Sequence, residues 1–132
     1  MQTPDQNPDS REGNESLQSI IRILKETAAK FSSLDEDAKQ ALKQKDTSTY
    51  SRKLAGKAQL LIDLPGLLTG IIDNLEPEEK HKIMLRINWY ATSAREALQQ
   101  GLFELNVLLI PKGNEVGDKN DLEKFISILE KK

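Results

Sequence analysis

The chain has 132 residues, of which 30% are charged and 37% are hydrophobic, with no cysteine and a single histidine. This length fits one domain, since single domains fall within roughly 50–200 residues. The absence of cysteine excludes a disulfide framework, an iron–sulfur cluster and a thiol nucleophile. A net charge of −2 argues against bulk electrostatic attraction to nucleic acid as the main activity.

The first residues predict neither a targeting signal nor a folded segment. Residues 1–15 contain two prolines, one glycine, five charges and no large apolar residue besides Met1. They lack the basic and apolar regions of a signal peptide, and no later stretch approaches the about 20 apolar residues of a membrane span. Because such a segment buries too little to offset its ordering entropy, we expect a disordered tail over 1–15. A single domain over 16–132 and a cytoplasmic location follow as expectations.

Apolar residues recur every three or four positions through the first half of the chain, which predicts helices. A first helix covers 17–31. Residues 33–36 have the pattern of a capping box and predict the start of a second helix. Residues 46–49 predict a break and a new cap, and Pro65 is expected to stop or kink the third helix. A short apolar helical piece over 67–75 follows.

The second half predicts one long helix and one short one. Pro77 with acids behind it is a strong helix start, and nothing interrupts the pattern before Pro111. One helix over about 77–109 would be roughly 50 Å long. After a polar loop, Asn120 begins a second capping box and a last amphipathic helix. With no period-two alternation, the sequence predicts an all-α bundle of about five helices built around the long helix.

The long helix is predicted to be apolar on two sides. At about 100° per residue, eight apolar residues share one core stripe: Met84, Ile87, Ala91, Ala94, Leu98, Leu102, Leu105 and Leu109. Leu85, Trp89, Phe103 and Val107 lie off this stripe. Either the last helix and the 67–75 piece cover them, or part of this second surface contacts another subunit or a partner, as large exposed apolar patches usually do.

Positive charge concentrates between residues 38 and 62, where six basic residues accompany the single acid Asp46. If the second and third helices are antiparallel, these residues gather around the turn that joins them. A phosphate backbone or an acidic partner could bind there, and a solvated helical face is the ordinary alternative. The six residues are Lys39, Lys43, Lys45, Arg52, Lys53 and Lys57.

Few residues of the sequence suggest a catalytic or metal-binding site. Glu78 and His81 have the Glu-x-x-His spacing of di-iron carboxylate bundles, but with one histidine per chain only a symmetric dimer could complete such a site. Otherwise Glu78 complements the helix dipole and His81 is solvated. No titratable partner for acid–base catalysis accompanies His81, and residues 113–119 lack the spacing of a phosphate loop. We expect no catalytic residue, no metal and no cofactor.

Three hypotheses about function follow. The first is a non-enzymatic helical-bundle protein that acts through protein–protein interaction and self-associates as a homodimer or other homo-oligomer, through Leu85, Trp89, Phe103 and Val107. The second is a nucleic-acid-associated regulator that uses the basic patch. The third and most remote is a metal-dependent enzyme assembled across a dimer.

Overall fold

The computed structural model describes residues 8–110 and 119–131, with side chains from residue 14 onward. These residues form α-helices and no strand, which confirms the predicted all-α bundle. The elements, in chain order, are α1 (Pro8–Lys43), α2 (Thr47–Leu68), a 3₁₀ turn (Ile72–Asn74), α3 (Pro77–Gln100), α4 (Leu102–Asn106) and α5 (Asp121–Glu130). Within these described ranges, no helix is both long enough and apolar enough to cross a membrane.

α1 is one continuous helix of 36 residues, where the sequence predicts a tail and two helices. The predicted helix start at 33–36 is wrong, because no glycine or proline interrupts residues 14–43 and burial continues from Phe31 to Ala38 and Ala41. An established helix gains a hydrogen bond for each residue that it adds, so an internal capping pattern does not end it. The helix also reaches back to Pro8, so residues 8–15 of the predicted tail are helical, whereas residues 1–7 lie outside the described residues.

The turn between α1 and α2 covers residues 44–46, slightly before the break predicted over 46–49. Backbone hydrogen bonds from Lys45 to Leu42 (3.0 Å) and from Asp46 to Ala41 (2.9 Å) close the end of α1. Asp46 then caps α2: its carboxylate accepts from the Thr49 amide at 3.1 Å and from the Thr49 hydroxyl at 2.6 Å. These bonds favour the ionised form and hold the pKa of Asp46 below its usual value.

Pro65 lies inside α2, which continues to Leu68. A proline in a helix interior costs about 3 kcal/mol, but Leu64 and Leu68 on either side of it are fully buried. Burying a leucine contributes about 1.5–3 kcal/mol, so two of them offset the proline. The predicted apolar helical piece over 67–75 is therefore wrong: its first residues end α2, and a 3₁₀ turn over Ile72–Asn74 follows.

α3 ends at Gln100, so the prediction of one helix over 77–109 is wrong beyond that residue. Gly101 breaks it with a φ of 127° and a ψ of −170°, a conformation that only glycine adopts readily. The chain then turns into the short helix α4, and Leu105 and Leu108 become buried. Among the described elements α1, not α3, is the longest.

Gly101→Ala is expected to lower the free energy of unfolding by about 1–3 kcal/mol. Apart from Gly101 and its two neighbours in the chain, no described residue has an atom within 4 Å of the position that the alanine Cβ would occupy, so the cost is one of backbone conformation and not of space. Gly66→Ala in α2 is the matched control, since that position is equally open and has no positive φ. It should stabilise the protein by about 0.5–1 kcal/mol. Urea unfolding measures both, and equal stability of the two variants would contradict the role given to Gly101.

The core lies where α1 packs on α2, α2 packs on α3, and α5 packs on α1. The predicted stripe of α3 and α4 is partly right: Ile87, Ala91, Ala94, Leu105 and Leu109 are buried, Met84 is half-buried, and Leu98 and Leu102 are exposed. The break at Gly101 explains the error at Leu102, which no longer shares the axis of α3, whereas Leu98 lies within α3 beside its buried side. The buried side of α3 also includes two side chains that the predicted stripe leaves out, Ile83 and Tyr90.

Candidate interaction surface

The outer side of α3 carries large apolar side chains that the described fold leaves exposed. Trp89, the only tryptophan of the chain, is 55% exposed, and Leu85 one turn before it is also exposed. The neighbouring residue Tyr90 faces the core and is fully buried. The intramolecular explanation, in which the 67–75 piece covers Leu85 and Trp89, is therefore wrong.

A groove of about 620 Å³ lies between α3 and α5 beside these residues. Leu85 and Trp89 line its α3 side, and Ile128, which is also exposed, lines its α5 side. Ile128 was not among the residues predicted from sequence; its position off the Leu122–Phe125–Leu129 face of α5 was the available signal. The floor of the groove is formed by buried apolar side chains: Ile83, Phe125 and Leu129.

Tyr90 fastens α5 to α3 beneath the groove. Its hydroxyl donates a hydrogen bond to the backbone oxygen of Asp121 at 3.2 Å, and its ring meets the Phe125 ring edge-on, with centroids 6.4 Å apart. Burial, followed by the nearby Asp121 carboxylate, raises the pKa of Tyr90 above its ordinary value. The sequence-derived stripe left out Tyr90, although its spacing from Ile87 and Ala94 is helical.

The first turn of α5 is held by local and long-range polar contacts. The predicted capping box is confirmed: the Asn120 side chain accepts from the Glu123 amide at 2.8 Å, and the Glu123 carboxylate accepts from the Asn120 amide at 2.9 Å. The guanidinium of Arg86 lies 3.7 Å from the Asp121 carboxylate and 5.4 Å from the centre of the Phe125 ring. Arg86 therefore links α3 to the first turns of α5 at one end of the groove.

Of the four residues predicted to contact a partner, the structure brings three close together. Val107 lines a smaller groove of about 290 Å³ that Trp89 also borders, so Leu85, Trp89 and Val107 flank adjoining grooves. Phe103 is 73% exposed but lines neither groove. The turn at Gly101 separates it from the outer side of α3.

Three of the six residues of the predicted basic patch lie beside two acids of α1. Lys57 is 1% exposed; its Nζ donates to Asp35 at 2.9 Å and lies 4.9 Å from the centre of the Phe31 ring. Placing Lys57 on a surface patch was therefore wrong. Lys39 also lies near Asp35, at 3.5 Å, and Lys53 lies 3.4 Å from Asp37. The remaining residues of the patch are exposed: Lys43, Lys45 and Arg52.

The two residues with Glu-x-x-His spacing, Glu78 and His81, lie outside the lining of the groove. Glu78 and His81 are both exposed, and the Glu78 carboxylate lies 3.4 Å from Lys82. Within residues 8–110 and 119–131, no group of three or more histidine, cysteine, aspartate or glutamate side chains could hold a metal ion. Comparisons of the chain with protein-family models, with curated proteins and with solved structures found no match.

Proposed function

We propose that this protein is a cytoplasmic, non-enzymatic helical-bundle protein that acts through protein–protein contacts and associates with itself. The observation that carries the proposal is the exposed Trp89, which stands with Leu85 and Ile128 beside a groove with an apolar floor. Tryptophan is enriched among the residues that anchor interfaces, and exposed apolar patches of this kind mark interaction sites. Tyr90 and the ion pair of Arg86 with Asp121 support the walls of the groove, so the surface is formed before a partner binds.

Trp89→Glu tests this proposal, with Leu42→Glu as its matched control. The two side chains are 55% and 53% exposed, so both substitutions should change folding stability by about 0.5 kcal/mol or less. We expect light scattering to give the wild-type chain a mass above the 14.9 kDa monomer at micromolar concentration. Trp89→Glu should return the monomer mass, because the interface would then bury an unpaired charge, and Leu42→Glu should behave as the wild type.

Trp89 fluorescence gives a second measurement on the unaltered chain. Because this is the only tryptophan, its emission should shift to shorter wavelength as rising concentration buries the ring. A wild-type chain that keeps the monomer mass and a constant emission maximum at every concentration would contradict self-association. A Trp89→Glu variant that associates as strongly as the wild type would contradict the proposed surface.

A further inference from the structure

We infer that a second copy of this chain docks antiparallel on α3, with a two-fold axis at Trp89, so that Lys82 of each copy pairs with Glu96 of the other. The inference rests on the proposed self-association and adds its geometry. It depends on the charges along one side of α3, here called the outer α3 face.

The outer α3 face is the set of side chains within about 40° of Trp89 around the helix axis, at about 100° per residue. Trp89 and Leu85 occupy its centre, and polar or charged residues occupy both ends. An apolar centre with a polar rim is the usual anatomy of a protein interface. Besides Trp89, its members are Glu78, Lys82, Leu85, Ser93, Glu96 and Gln100.

The two charges nearest Trp89 on this face are opposite in sign and equally distant from it. Lys82 lies seven residues before Trp89 and Glu96 lies seven residues after it, and both are exposed. In an antiparallel pair centred on Trp89, each residue faces the one at the same distance on the other side. Lys82 therefore faces Glu96 of the second copy, and the symmetry repeats this pair at the other end of the interface.

The remaining facing pairs are compatible with this register. Glu78 faces Gln100 of the second copy, and Leu85 faces Ser93, so no like charges meet across the outer α3 face. In the protomer, Lys82 lies 3.4 Å from Glu78, but an exposed pair one turn apart is weak and leaves Lys82 able to bind a second acid.

Two other arrangements of the same face bring like charges together. Parallel packing would place Lys82 on Lys82, Glu78 on Glu78 and Glu96 on Glu96. An antiparallel pair centred between Leu85 and Trp89 would place Glu78 opposite Glu96 at both ends. Because like charges across an interface oppose association, the charges favour the register centred on Trp89 over these two arrangements, and the match of Lys82 with Glu96 favours a second copy as the occupant.

A charge exchange tests this register. Lys82→Glu and Glu96→Lys each create like-charge pairs at both ends, so each should weaken the dimer about tenfold or more at low salt. The double variant Lys82→Glu/Glu96→Lys restores opposite charges and should return the dissociation constant to within about threefold of the wild type. Arg95→Glu is the matched control for Lys82→Glu, because it makes the same change of charge on the same helix. The Arg95 side chain lies about 120° from Trp89 around the helix axis, so this variant should leave the dissociation constant unchanged. Sedimentation equilibrium measures all four.

Distances between spin labels test the antiparallel direction independently. Because the chain has no cysteine, single cysteines at Ser93 and at Gln100 can each be labelled uniquely. At 1.5 Å per residue, the axial separation of the two copies should be about 12 Å for Ser93 and about 33 Å for Gln100. Parallel helices would give equal, short distances at both sites.

The results separate this inference from the proposed function. If Trp89→Glu abolishes the dimer but the single charge variants do not weaken it, or if the Gln100 labels lie close together, the register is wrong and self-association stands. If the wild-type chain is a monomer at every concentration, both are wrong. Weakened single variants, a restored double variant and the two label distances together would establish the antiparallel dimer.

Discussion

Tyr90→Ala is expected to lower the free energy of unfolding by about 3–5 kcal/mol, as other large-to-small aromatic substitutions in cores do. Tyr90 is fully buried, and its ring contacts Phe125 of α5. Tyr90→Phe keeps the ring and removes only the hydrogen bond to the Asp121 backbone, so it should cost about 1 kcal/mol. Urea unfolding of both variants measures the two contributions separately.

The Tyr90 substitutions should also act on α5 selectively. Because Tyr90 holds the first turn of α5 through Asp121 and Phe125, backbone amides of α5 should exchange with solvent faster in Tyr90→Ala than in Tyr90→Phe. Equal losses of stability in the two variants would show that ring packing contributes nothing. Unchanged exchange in α5 would show that Tyr90 does not hold this helix.

Tyr90 also predicts a loss of stability at alkaline pH. Burial raises the pKa of Tyr90 in the folded state above the ordinary value of 10.0. Below about pH 10 both states hold the proton and the stability is fully present. Above it the unfolded state releases the proton first, so the free energy of unfolding falls by up to about 1.4 kcal/mol per pH unit. Tyr90→Phe has no phenol to titrate here, so its free energy of unfolding should fall less steeply with pH than that of the wild type. Equal slopes in Tyr90→Phe and the wild type would contradict the raised pKa.

Asp35→Ala should lower the free energy of unfolding by about 2–3 kcal/mol, the largest loss expected after that of Tyr90→Ala. It leaves the buried Lys57 ammonium without its carboxylate partner at 2.9 Å. Breaking a fully buried pair costs about 3–5 kcal/mol, and the 30% exposure of Asp35 reduces this value. Lys57→Met removes the charge and keeps the apolar stem, so it should be close to neutral.

Asp37→Ala is the control for this pair. Asp37 lies 3.4 Å from Lys53 in an ion pair exposed to solvent, so its removal should cost about 0–1 kcal/mol. Chemical denaturation of the three variants gives the comparison. Either of two results would contradict this explanation: a loss of stability in Asp35→Ala no larger than in Asp37→Ala, or a loss in Lys57→Met as large as in Asp35→Ala. The loss of stability would then not come from leaving the buried Lys57 charge unpaired.

The features predicted correctly from sequence depend on neighbouring residues. Asp46 caps α2 and Asn120 caps α5 through bonds to residues three positions away, so a short sequence window contains both partners. The helical class follows from apolar spacing, which also places Trp89 off the core side of α3. For the candidate surface, the sequence was sufficient for Leu85 and Trp89, whereas Ile128 and the groove required the position of α5.

The incorrect predictions concern competition between local signals and packing. The capping pattern at 33–36 and the proline at 65 are real local signals, but burial on both sides of each outweighs them. At Gly101 the outcome is reversed: apolar spacing continues through it, yet the chain turns there to bury Leu105 and Leu108. A local signal such as a proline changes the free energy of a helix by a few kcal/mol, which is close to what the burial of one or two leucines contributes. A short stretch of sequence therefore does not show whether the local signal or the burial prevails.

The sequence by itself determined the helical class, the two helix caps and an apolar side chain of α3 pointing away from the core, because each depends on residues within one or two helical turns. Only the tertiary structure decided that Lys57 is buried against Asp35, that α5 forms a groove with α3, and that Phe103 stands apart from it. The first two features depend on contacts between residues that are 22 or more positions apart in the chain. The position of Phe103 depends on the turn at Gly101. These features are set by which helices pack together, a property of the whole chain.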